Sequence, residues 1–383
     1  GVVPLMEQNK FQRLAEVVFS SKKGLDVSRP VHLFGCGHPM LFALAVFMGC
    51  DVFDSSSYAK FASRDSLMFT WGTRKLDELK TLPSEFSASP YTTIEQLKSM
   101  EANERQRIIA KHNLIVSFTE IRRVKQAIHE GTLWELVENR LRTSPALMKV
   151  FDVLKKEKDW LSKFEPAYRY KTPLKTGKES DDRPIFANFK EFSKGDMTHP
   201  YFGRVPLHLS ETYPFHPGLL QDDMEGWKMQ EWDIARVCTI LDYQFGKGMG
   251  DVFTNGDVEL VTSRKTKRLR NLVLDGNHLA SLSHRRGLFI LQEQGARLIH
   301  KNSESLQFRV VIDPETASFN REGKSVFCKF VKDVDENLKC MDECIVVTPK
   351  DELVAFGKLI MSPEELGLGQ QGMAIRVRSG ISE

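Results

Sequence analysis

The sequence lacks a long hydrophobic run, a C-x-x-C cysteine pair and a strong excess of one charge. Its longest apolar run, residues 40–48, is too short to cross a bilayer and lies inside the chain, so it reads neither as a transmembrane helix nor as a signal peptide. The six cysteines among 383 residues form no secreted disulfide pattern. We therefore expect a protein of the reducing cytoplasm with no membrane partner.

Basic residues are concentrated in one segment, although the net charge of the chain is only +3. Between residues 259 and 301 there are nine Lys and Arg against three Asp and Glu, a local charge of +6. Such a segment is typical of a surface that contacts nucleic-acid phosphates. A solvated face with no partner would have the same composition, and charge alone does not separate the two.

The N-terminal part of the sequence predicts a β-α-β unit. Residues 31–34 read as a short apolar strand, residues 35–39 as a turn, residues 40–48 as a helix and residues 51–53 as a second strand. This is the spacing of a parallel sheet in TIM barrels and open α/β folds.

Helices and then strands are predicted further along the chain. Residues 119–163 read as helical, with a stop at Gly131, a capping box from Thr132 and a third helix from Ser144. Polar sequence at 171–183 reads as a linker. From residue 259 the hydrophobic period changes to two. A hairpin is predicted around 275–277, a strand at 326–331, and a small β-rich barrel or sandwich over roughly the last 75 residues.

Asp54 is the first candidate for chemistry, because it falls at the carboxyl end of the second predicted strand. Barrel enzymes place catalytic groups at that end. A carboxylate with a reference pKa of ~3.9 is ionised near neutral pH and can act as a nucleophile. The alternative role is a cap for the next helix, with the following serines filling the turn.

Other candidate residues are less specific. The Gly35-Cys36-Gly37 turn resembles the start of a nucleotide-binding loop, or simply brings backbone amides close to a flat ligand. Phe34, just before it, either stacks on that ligand or lies in the core. His112 is a lone candidate metal ligand and is equally consistent with a structural role.

Taken together, the motifs resemble those of archaeal tRNA-guanine transglycosylases of the archaeosine type. The matching stretches cover nearly the whole chain; they are residues 1–7 (GVVPLME), 31–39 (VHLFGCGHP), 51–58 (DVFDSSSY), 199–215 (HPYFGRVPLHLSETYPF), 241–246 (LDYQFG), 323–331 (GKSVFCKFV) and 375–380 (IRVRSG).

The resemblance implies the C-terminal portion of a TIM (β/α)8 barrel, followed by small α+β domains and a β-rich PUA barrel. The domains that we predict are a partial barrel with a helical extension, a post-barrel domain C1, a basic α+β domain C2 and a PUA RNA-binding domain, at residues 1–170, 171–250, 251–307 and 308–383.

The resemblance also implies an activity. The family exchanges the guanine at position 15 of the tRNA D-loop for the base preQ0 through a covalent Asp–ribose intermediate. Asp54 falls on the nucleophile. Gly1, Val2, Phe34 and Gly35 fall on positions that bind the base.

The same resemblance implies that the macromolecular partner is tRNA and that the protein does not bind DNA. The candidate tRNA-binding residues are Lys267, Arg268 and Arg270 in the basic segment. Arg321 and Lys324, which flank a glycine turn in the PUA region, complete the set.

Two departures from the family pattern matter. The chain matches only the last part of the barrel, so we expect a companion chain carrying the N-terminal barrel half, or a truncated chain. The family's structural zinc site is also missing, because Ser84, Phe86 and Ser89 stand in place of its three cysteines and only His112 fits the fourth ligand. Thiolate ligands cannot be replaced in this way, so we expect no zinc and no other cofactor.

Two further functions stay open from the sequence. One is a non-catalytic tRNA-binding subunit that scaffolds a catalytic partner. The other is a later-acting paralogue of the archaeosine pathway, although the extra catalytic domain of that group is not found in this sequence.

Overall fold

The computed structural model describes residues 2–27, 29–83, 93–169, 177–188, 196–199, 203–206, 209, 233–368 and 371–381. The chain divides into two compact units. The first comprises Gly1–Lys158 and Pro173–Arg183, and the second comprises Asp159–Thr172 and Pro184–Glu383. Within the described ranges, no helix is both long and apolar enough to cross a membrane.

The first unit combines nine helices with two pairs of short strands in its described residues. The strands are β1 (His32–Phe34), β2 (Val52–Asp54), β3 (Ser66–Phe69) and β4 (Gly72–Lys75). The helices are α1 (Val3–Glu7), α2 (Phe11–Lys23), α3 (Pro39–Phe47), α4 (Ser57–Ala62), α5 (Ile94–Ser99), α6 (Ala102–Glu130), α7 (Leu133–Leu141), α8 (Pro145–Met148) and α9 (Val150–Lys156). Two 3-10 turns, Leu76–Glu78 and Lys178–Asp182, complete the unit.

The predicted β-α-β unit is confirmed. Strands β1 and β2 pair in parallel, and α3 connects them. The side chain of His38 caps α3 by accepting a hydrogen bond from the N–H of Met40, and Pro39 occupies the first helical turn, where its missing N–H costs nothing. Helix α3 is apolar on nearly all sides and most of its residues are buried, as the uninterrupted apolar run predicts.

All three predicted helix boundaries in the 119–163 stretch are confirmed, since α7 begins directly after Thr132. Helix α6 ends before Gly131, which is left-handed at φ 70°, and the Ser144 hydroxyl caps α8. The capping box at Thr132 is wrong, because its side chain makes no capping hydrogen bond. The N–H of Thr132 bonds to the Ala127 carbonyl at 2.8 Å, and its backbone (φ −111°, ψ 19°) lacks the extended conformation of a side-chain cap.

The end of the predicted linker is a packed part of the first unit. Arg183 is buried and its guanidinium contacts Glu135 at 2.8 Å and Glu138 at 3.5 Å, both on α7. The hydroxyl of Ser180 donates to Glu138 at 2.8 Å. Charged side chains can be buried when they are paired in this way. The segment that contains Ser180 and Arg183 is therefore packed against α7.

The described residues of the second unit form two larger β-sheets, one two-stranded pair and flanking helices. The helices are α10 (Lys158–Ser162, which begins at the last residue of the first unit), α11 (Pro184–Ala187), α12 (Ile234–Phe245), α13 (Met249–Phe253), α14 (Glu293–Asn302), α15 (Ala317–Arg321) and α16 (Pro363–Leu368). A separate two-stranded pair joins β5 (Asp196–His199) to β6 (Gly203–Pro206). Most of the predicted C1 domain, including most of residues 199–215, lies outside the described residues.

The first sheet of the second unit has the order β10-β9-β8-β7, with all pairs antiparallel. Its strands are β7 (Val258–Thr262), β8 (Leu269–Leu274), β9 (Asn277–Leu282) and β10 (Phe289–Leu291). The predicted hairpin is confirmed, since β8 and β9 are joined by Asp275 and Gly276, both at positive φ. An Asp-Gly pair suits this turn because its two central residues must both adopt positive φ.

The second sheet has the order β12-β16-β15-β14-β11-β13. Its strands are β11 (Arg309–Ile312), β12 (Val326–Phe327), β13 (Val331–Val334), β14 (Glu343–Val347), β15 (Leu353–Leu359) and β16 (Met373–Gly380). Strands β12 and β13 lie at opposite ends of this order, yet only the 3-10 turn Cys328–Phe330 separates them along the chain. The two edges therefore approach each other and the sheet is nearly closed. The single strand predicted at 326–331 is wrong because the chain bends here from one edge to the other.

Candidate active site

The parallel register of β1 and β2 brings the predicted site residues together. His32 pairs with Val52, Leu33 with Phe53, and Phe34 with Asp54. Phe34 and Asp54 are the last residues of their strands, so both lie at the carboxyl end of the parallel pair, as the sequence predicts.

Two donors hold the carboxylate of Asp54. The backbone N–H of Gly35 donates to Oδ1 at 3.0 Å, and Nε2 of His32 contacts the same oxygen at 2.9 Å. The Gly35 hydrogen bond, and after it the His32 hydrogen bond, hold the pKa of Asp54 below its ordinary value. The side chain is 49% exposed, so the carboxylate is ionised, oriented and accessible.

Asp54 does not take the alternative role of a helix cap. Helix α4 begins at Ser57 after Ser56, and the N–H of Ser57 bonds to the hydroxyl of Ser55 at 2.9 Å. The Ser55 and Ser57 hydroxyls are themselves 2.5 Å apart. The serine hydroxyls thus make the hydrogen bonds at the start of α4. The Asp54 carboxylate bonds instead to His32 of β1 and to Gly35.

The glycines of the Gly35-Cys36-Gly37 turn allow close approaches of the chain. Gly35 has φ +79°, and a Cβ there would lie 2.6 Å from Cγ2 of Val3, at the start of α1. A Cβ on Gly37 would lie 2.0 Å from Cβ of Ser55. The turn therefore acts as a close-approach turn, in which the Gly35 amide also reaches Asp54.

Phe34 is a surface residue and not a core residue. It is 66% exposed, and its ring meets His32 edge to face at 5.7 Å between centroids. An exposed ring beside an ionised carboxylate can stack on a planar heterocycle. Of the other predicted base-binding residues, Val2 is half-buried just before α1, and Gly1 lies outside the described residues.

A cleft of about 570 Å³ opens beside Asp54. Its charged lining residues are Asp51, Asp54 and Lys125, and its remaining walls are largely apolar, with side chains from α3, β2 and α6. Neither Phe34 nor Gly35 lines this cleft, and its walls include the exposed apolar side chains Val52, Phe118 and Ile128.

His112, the residue that fits the family's fourth zinc ligand, lies in the core of the first unit. His112 is fully buried on α6, its Nε2 lies 3.1 Å from the Met68 carbonyl, and its ring packs against Phe69. Phe69 in turn stacks on Trp71 with centroids 4.7 Å apart. The six cysteines all belong to other segments, and Ser84, Phe86 and Ser89 lie outside the described residues.

The described ranges contain no group of three or more His, Cys, Asp or Glu residues arranged to hold a metal ion. Apolar packing surrounds this part of the first unit instead. The buried cluster consists of Ala62, Leu67, Phe69, Leu76, Ile94, Leu97 and Ile109.

The predicted basic residues lie at one end of the four-stranded sheet. Lys267 and Arg270 are exposed, and Arg268 donates a hydrogen bond to the His284 carbonyl at 2.8 Å. That bond joins the β7–β8 loop to the β9–β10 loop. The second loop adds Arg285, which the sequence analysis did not single out. The position of Arg285 could have been predicted from the sequence. In an antiparallel meander, alternate loops lie at the same end of the sheet, so two basic loops separated by one hairpin lie close together.

In the PUA region, Lys324 is exposed beyond the Gly323 turn, and Arg321 donates a hydrogen bond to the Leu353 carbonyl at 3.4 Å. Two aromatic side chains near them are largely exposed: Phe319 at 59% and Phe327 at 49%. No role was predicted for these rings from the sequence. Exposed aromatic rings interleaved with cations are typical of surfaces on which nucleic-acid bases stack.

His32 is the site residue that sequence reasoning missed. Residues i and i+2 of a strand point to the same face, so His32 accompanies Phe34 towards the carboxylate. A polar residue two positions before a candidate ligand-stacking ring was the available signal.

Comparison with protein families defines the class of the molecule. A model described as queuine tRNA-ribosyltransferase matches residues 1–146. A model described as the patch-forming domain C2 of tRNA-guanine transglycosylase matches residues 235–305, and a PUA domain model matches residues 308–381. The chain thus combines a transglycosylase region with a C2 domain and a PUA domain.

Curated relatives specify the class further. Proteins named tRNA-guanine(15) transglycosylase from Thermococcus kodakarensis and Thermococcus onnurineus are each 40% identical over 391 residues, an alignment that covers 100% of this chain and 67% of the relative. The Methanocaldococcus jannaschii protein of the same name is 35% identical, with 100% of this chain and 70% of the relative covered. The chain belongs to the archaeal (archaeosine) tRNA-guanine transglycosylase family. It spans about two thirds of the length of the two Thermococcus relatives.

Proposed function

We propose that the protein exchanges the guanine at position 15 of the tRNA D-loop for preQ0, with Asp54 as the nucleophile. The observation that carries this proposal is the ionised carboxylate of Asp54, held by two donors at the carboxyl end of β2 and paired with the exposed Phe34. The family membership of the whole chain supports the same activity.

The proposed reaction is a retaining glycosyl transfer in two displacements. A carboxylate oxygen of Asp54 attacks C1′ of the ribose, the C1′–N9 bond breaks, and guanine leaves with the bonding electrons and takes up a proton. The covalent ester is then attacked at C1′ by N9 of preQ0, which loses its proton as the ester bond breaks. Asp54 is regenerated as a carboxylate, so the nucleophile is recovered after each exchange.

Phe34 and Gly35 fit the role of base-binding residues. The exposed Phe34 ring can pack over a planar base, and the Gly35 turn brings the start of α1 close to the same place. Val2 and Gly1 complete the proposed base site, as the resemblance implies. Because a D-loop base is stacked in folded tRNA, the guanine must be extruded before it can enter.

The basic loops of the four-stranded sheet support tRNA binding by Lys267, Arg268 and Arg270. They carry basic side chains at one end of the sheet, where phosphates could bind. We propose that Arg321 and Lys324, with the exposed rings near them, form a second contact with the RNA. The phosphate contacts would position the tRNA, and the residues around Asp54 would select the base.

Substitution of Asp54 tests the proposed function. Labelled guanine exchange into tRNA, and the covalent ester on denaturing gels, should both be lost in Asp54→Asn, because an amide is a far weaker nucleophile than a carboxylate. Asp77→Asn, which alters an exposed carboxylate of the same unit, should keep the wild-type rate. If exchange persists in Asp54→Asn, Asp54 is not the nucleophile. If tRNA binds without any exchange in wild type, the scaffold alternative is supported.

We also propose that β1 and β2 are the C-terminal part of a TIM barrel. The pair has open edges, and a barrel requires a closed sheet. Large apolar side chains that line the cleft are exposed, with Val52 at 47%, Phe118 at 57% and Ile128 at 52%. Further barrel strands and helices would cover them. The native mass of the purified protein decides whether those elements belong to a companion chain or to the same longer polypeptide.

The protein is proposed to hold no zinc and to work in a reducing cytoplasm. The burial of His112 against a carbonyl and an aromatic ring supports the first point. All six cysteines are free thiols, and five of them are buried, which supports the second.

A further inference from the structure

We infer that His32 is a positioning residue that orients the carboxylate of Asp54 so that Oδ2 is the attacking oxygen. This inference rests on the proposed function, since it assigns a role within the same reaction. It adds a residue that neither the family comparison nor the sequence analysis marks.

The first observation is that both donors reach the same oxygen. Nε2 of His32 and the N–H of Gly35 both bond to Oδ1. An ionised carboxylate has two equivalent oxygens until its surroundings distinguish them. Here two donors engage Oδ1, so Oδ2 is the better nucleophile.

The second observation is that the His32 ring is itself held in place. His32 belongs to β1, in register with Val52 on the strand that carries Asp54, and its ring meets Phe34 edge to face. To donate to a carboxylate, the neutral imidazole must carry its proton on Nε2. The strand pairing and the Phe34 contact therefore hold the Nε2–H of His32 in place. This N–H in turn sets the rotation of the Asp54 carboxylate.

The third observation concerns exposure. The side chains of His32 and Asp54 are 44% and 49% exposed, and exposed pairs of this kind contribute little to stability. Their contact is therefore better explained by geometry than by folding. Orientation of a reacting group changes rates strongly, since misplacement of a nucleophile by a fraction of an ångström to 1 Å can cost roughly 100-fold.

Two substitutions separate positioning from structure. His32→Phe keeps a ring beside Phe34 but removes the donor, whereas His32→Gln places an amide N–H near the original Nε2. We expect His32→Phe to lower kcat for guanine exchange roughly 10- to 100-fold with little change in the KM for tRNA. His32→Gln should restore most of the rate. His129→Phe, at an exposed histidine on α6, is the matched control and should behave as wild type.

A second measurement does not depend on the reaction. In protein labelled with 13C at the aspartate carboxyl, the pKa of Asp54 should rise in His32→Phe and stay near wild type in His32→Gln, because a donor to the charged form is lost only in the first. The other charged groups lining the cleft, Asp51 and Lys125, are the same in both variants.

The outcomes are distinguishable. If wild type forms no ester, the proposed function fails, while the carboxyl titration still reports whether His32 holds Asp54. If exchange and titration in His32→Phe match wild type, His32 does not position the carboxylate. If both variants lose activity together with melting temperature, the role of His32 is structural and the inference is overturned.

Discussion

At the scale of single residues, hydrogen bonds keep Asp54 of the β-α-β unit in its charged form, whereas burial keeps His38 of the same unit in its neutral form. Asp54 is exposed, and its donors favour the charged form. His38 is enclosed between α3 and β4, where burial lowers its pKa to about 4. Its Nδ1 accepts from the N–H of Met40, and its Nε2 lies 2.9 Å from the Thr73 hydroxyl. One group is prepared to react as an anion, and the other serves the fold as a neutral ring.

We expect His38 to make the protein less stable in mild acid. The folded pKa of about 4 lies below the unfolded value of 6.5, so between these pH values the unfolded state binds more protons. The stability due to neutral His38 is complete above pH 6.5. It decreases as the pH falls towards 4, by up to about 1.4 kcal/mol per pH unit.

Urea unfolding at several pH values between 7 and 4.5 checks this expectation. His38→Ser keeps an oxygen that can cap α3 but cannot be protonated, so its stability should change less with pH than that of wild type. His129→Gln should retain the wild-type dependence, since His129 is exposed. An equal loss of stability in His38→Ser and wild type would show that another group titrates.

At the scale of elements, individual strands and helices could be predicted from the sequence, but the pairing of the strands could not. The strand-turn-helix-strand order of β1, α3 and β2 followed from apolar runs and a Pro-containing turn, which are local signals. The contact between His32 and Asp54 depends on strand register, which a single sequence does not specify before the strands are paired. The bend at Cys328–Phe330 was missed for a related reason, because it is imposed by closure of the sheet and not by nearby residues.

The two basic loops predict a specific salt dependence of tRNA binding. Charge reversal of Lys267, Arg268 and Arg270 to Glu should weaken binding and reduce the slope of log Kd against log salt by about 1 for each lost phosphate contact. Fluorescence anisotropy with tRNA at several salt concentrations measures both effects.

Lys247→Glu is the control for a single reversal such as Arg270→Glu. Lys247 is exposed in the same unit and lies in the short connection between α12 and α13, outside both basic loops. If Arg270→Glu changes affinity and slope no more than Lys247→Glu does, the sheet end is not part of the RNA interface.

At the scale of the whole molecule, two compact units divide the proposed work. The first contains the cleft and Asp54, and the second contains the basic loops and the nearly closed PUA sheet. The order of these parts was predictable from the motif order along the chain. The division within residues 159–183 was not, because it depends on buried contacts such as those of Arg183 with Glu135 and Glu138.

The whole protein is expected to be independent of zinc. Purified wild type should contain fewer than about 0.1 zinc per chain by mass spectrometry of metals, and EDTA should leave its melting temperature unchanged within about 2 °C, because no metal contributes to folding. Stoichiometric zinc, or a marked loss of stability in EDTA, would contradict this.

Restoring the family's ligands provides the matched comparison. A variant with Ser84→Cys, Phe86→Cys and Ser89→Cys should gain about one zinc per chain if His112 can turn from the Met68 carbonyl to complete the tetrahedral set. Adding His112→Ala to the same three changes should reduce the uptake.

The side-by-side pairing of Phe34 with Asp54 makes this site sensitive to strand length as well as to the chemical identity of its residues. Neighbouring side chains can be exchanged during evolution while the backbone alignment persists. Gain or loss of one residue inside either three-residue strand would turn the carboxylate to the opposite face. Homologous chains should therefore accumulate substitutions around this pair but almost no insertions or deletions within it.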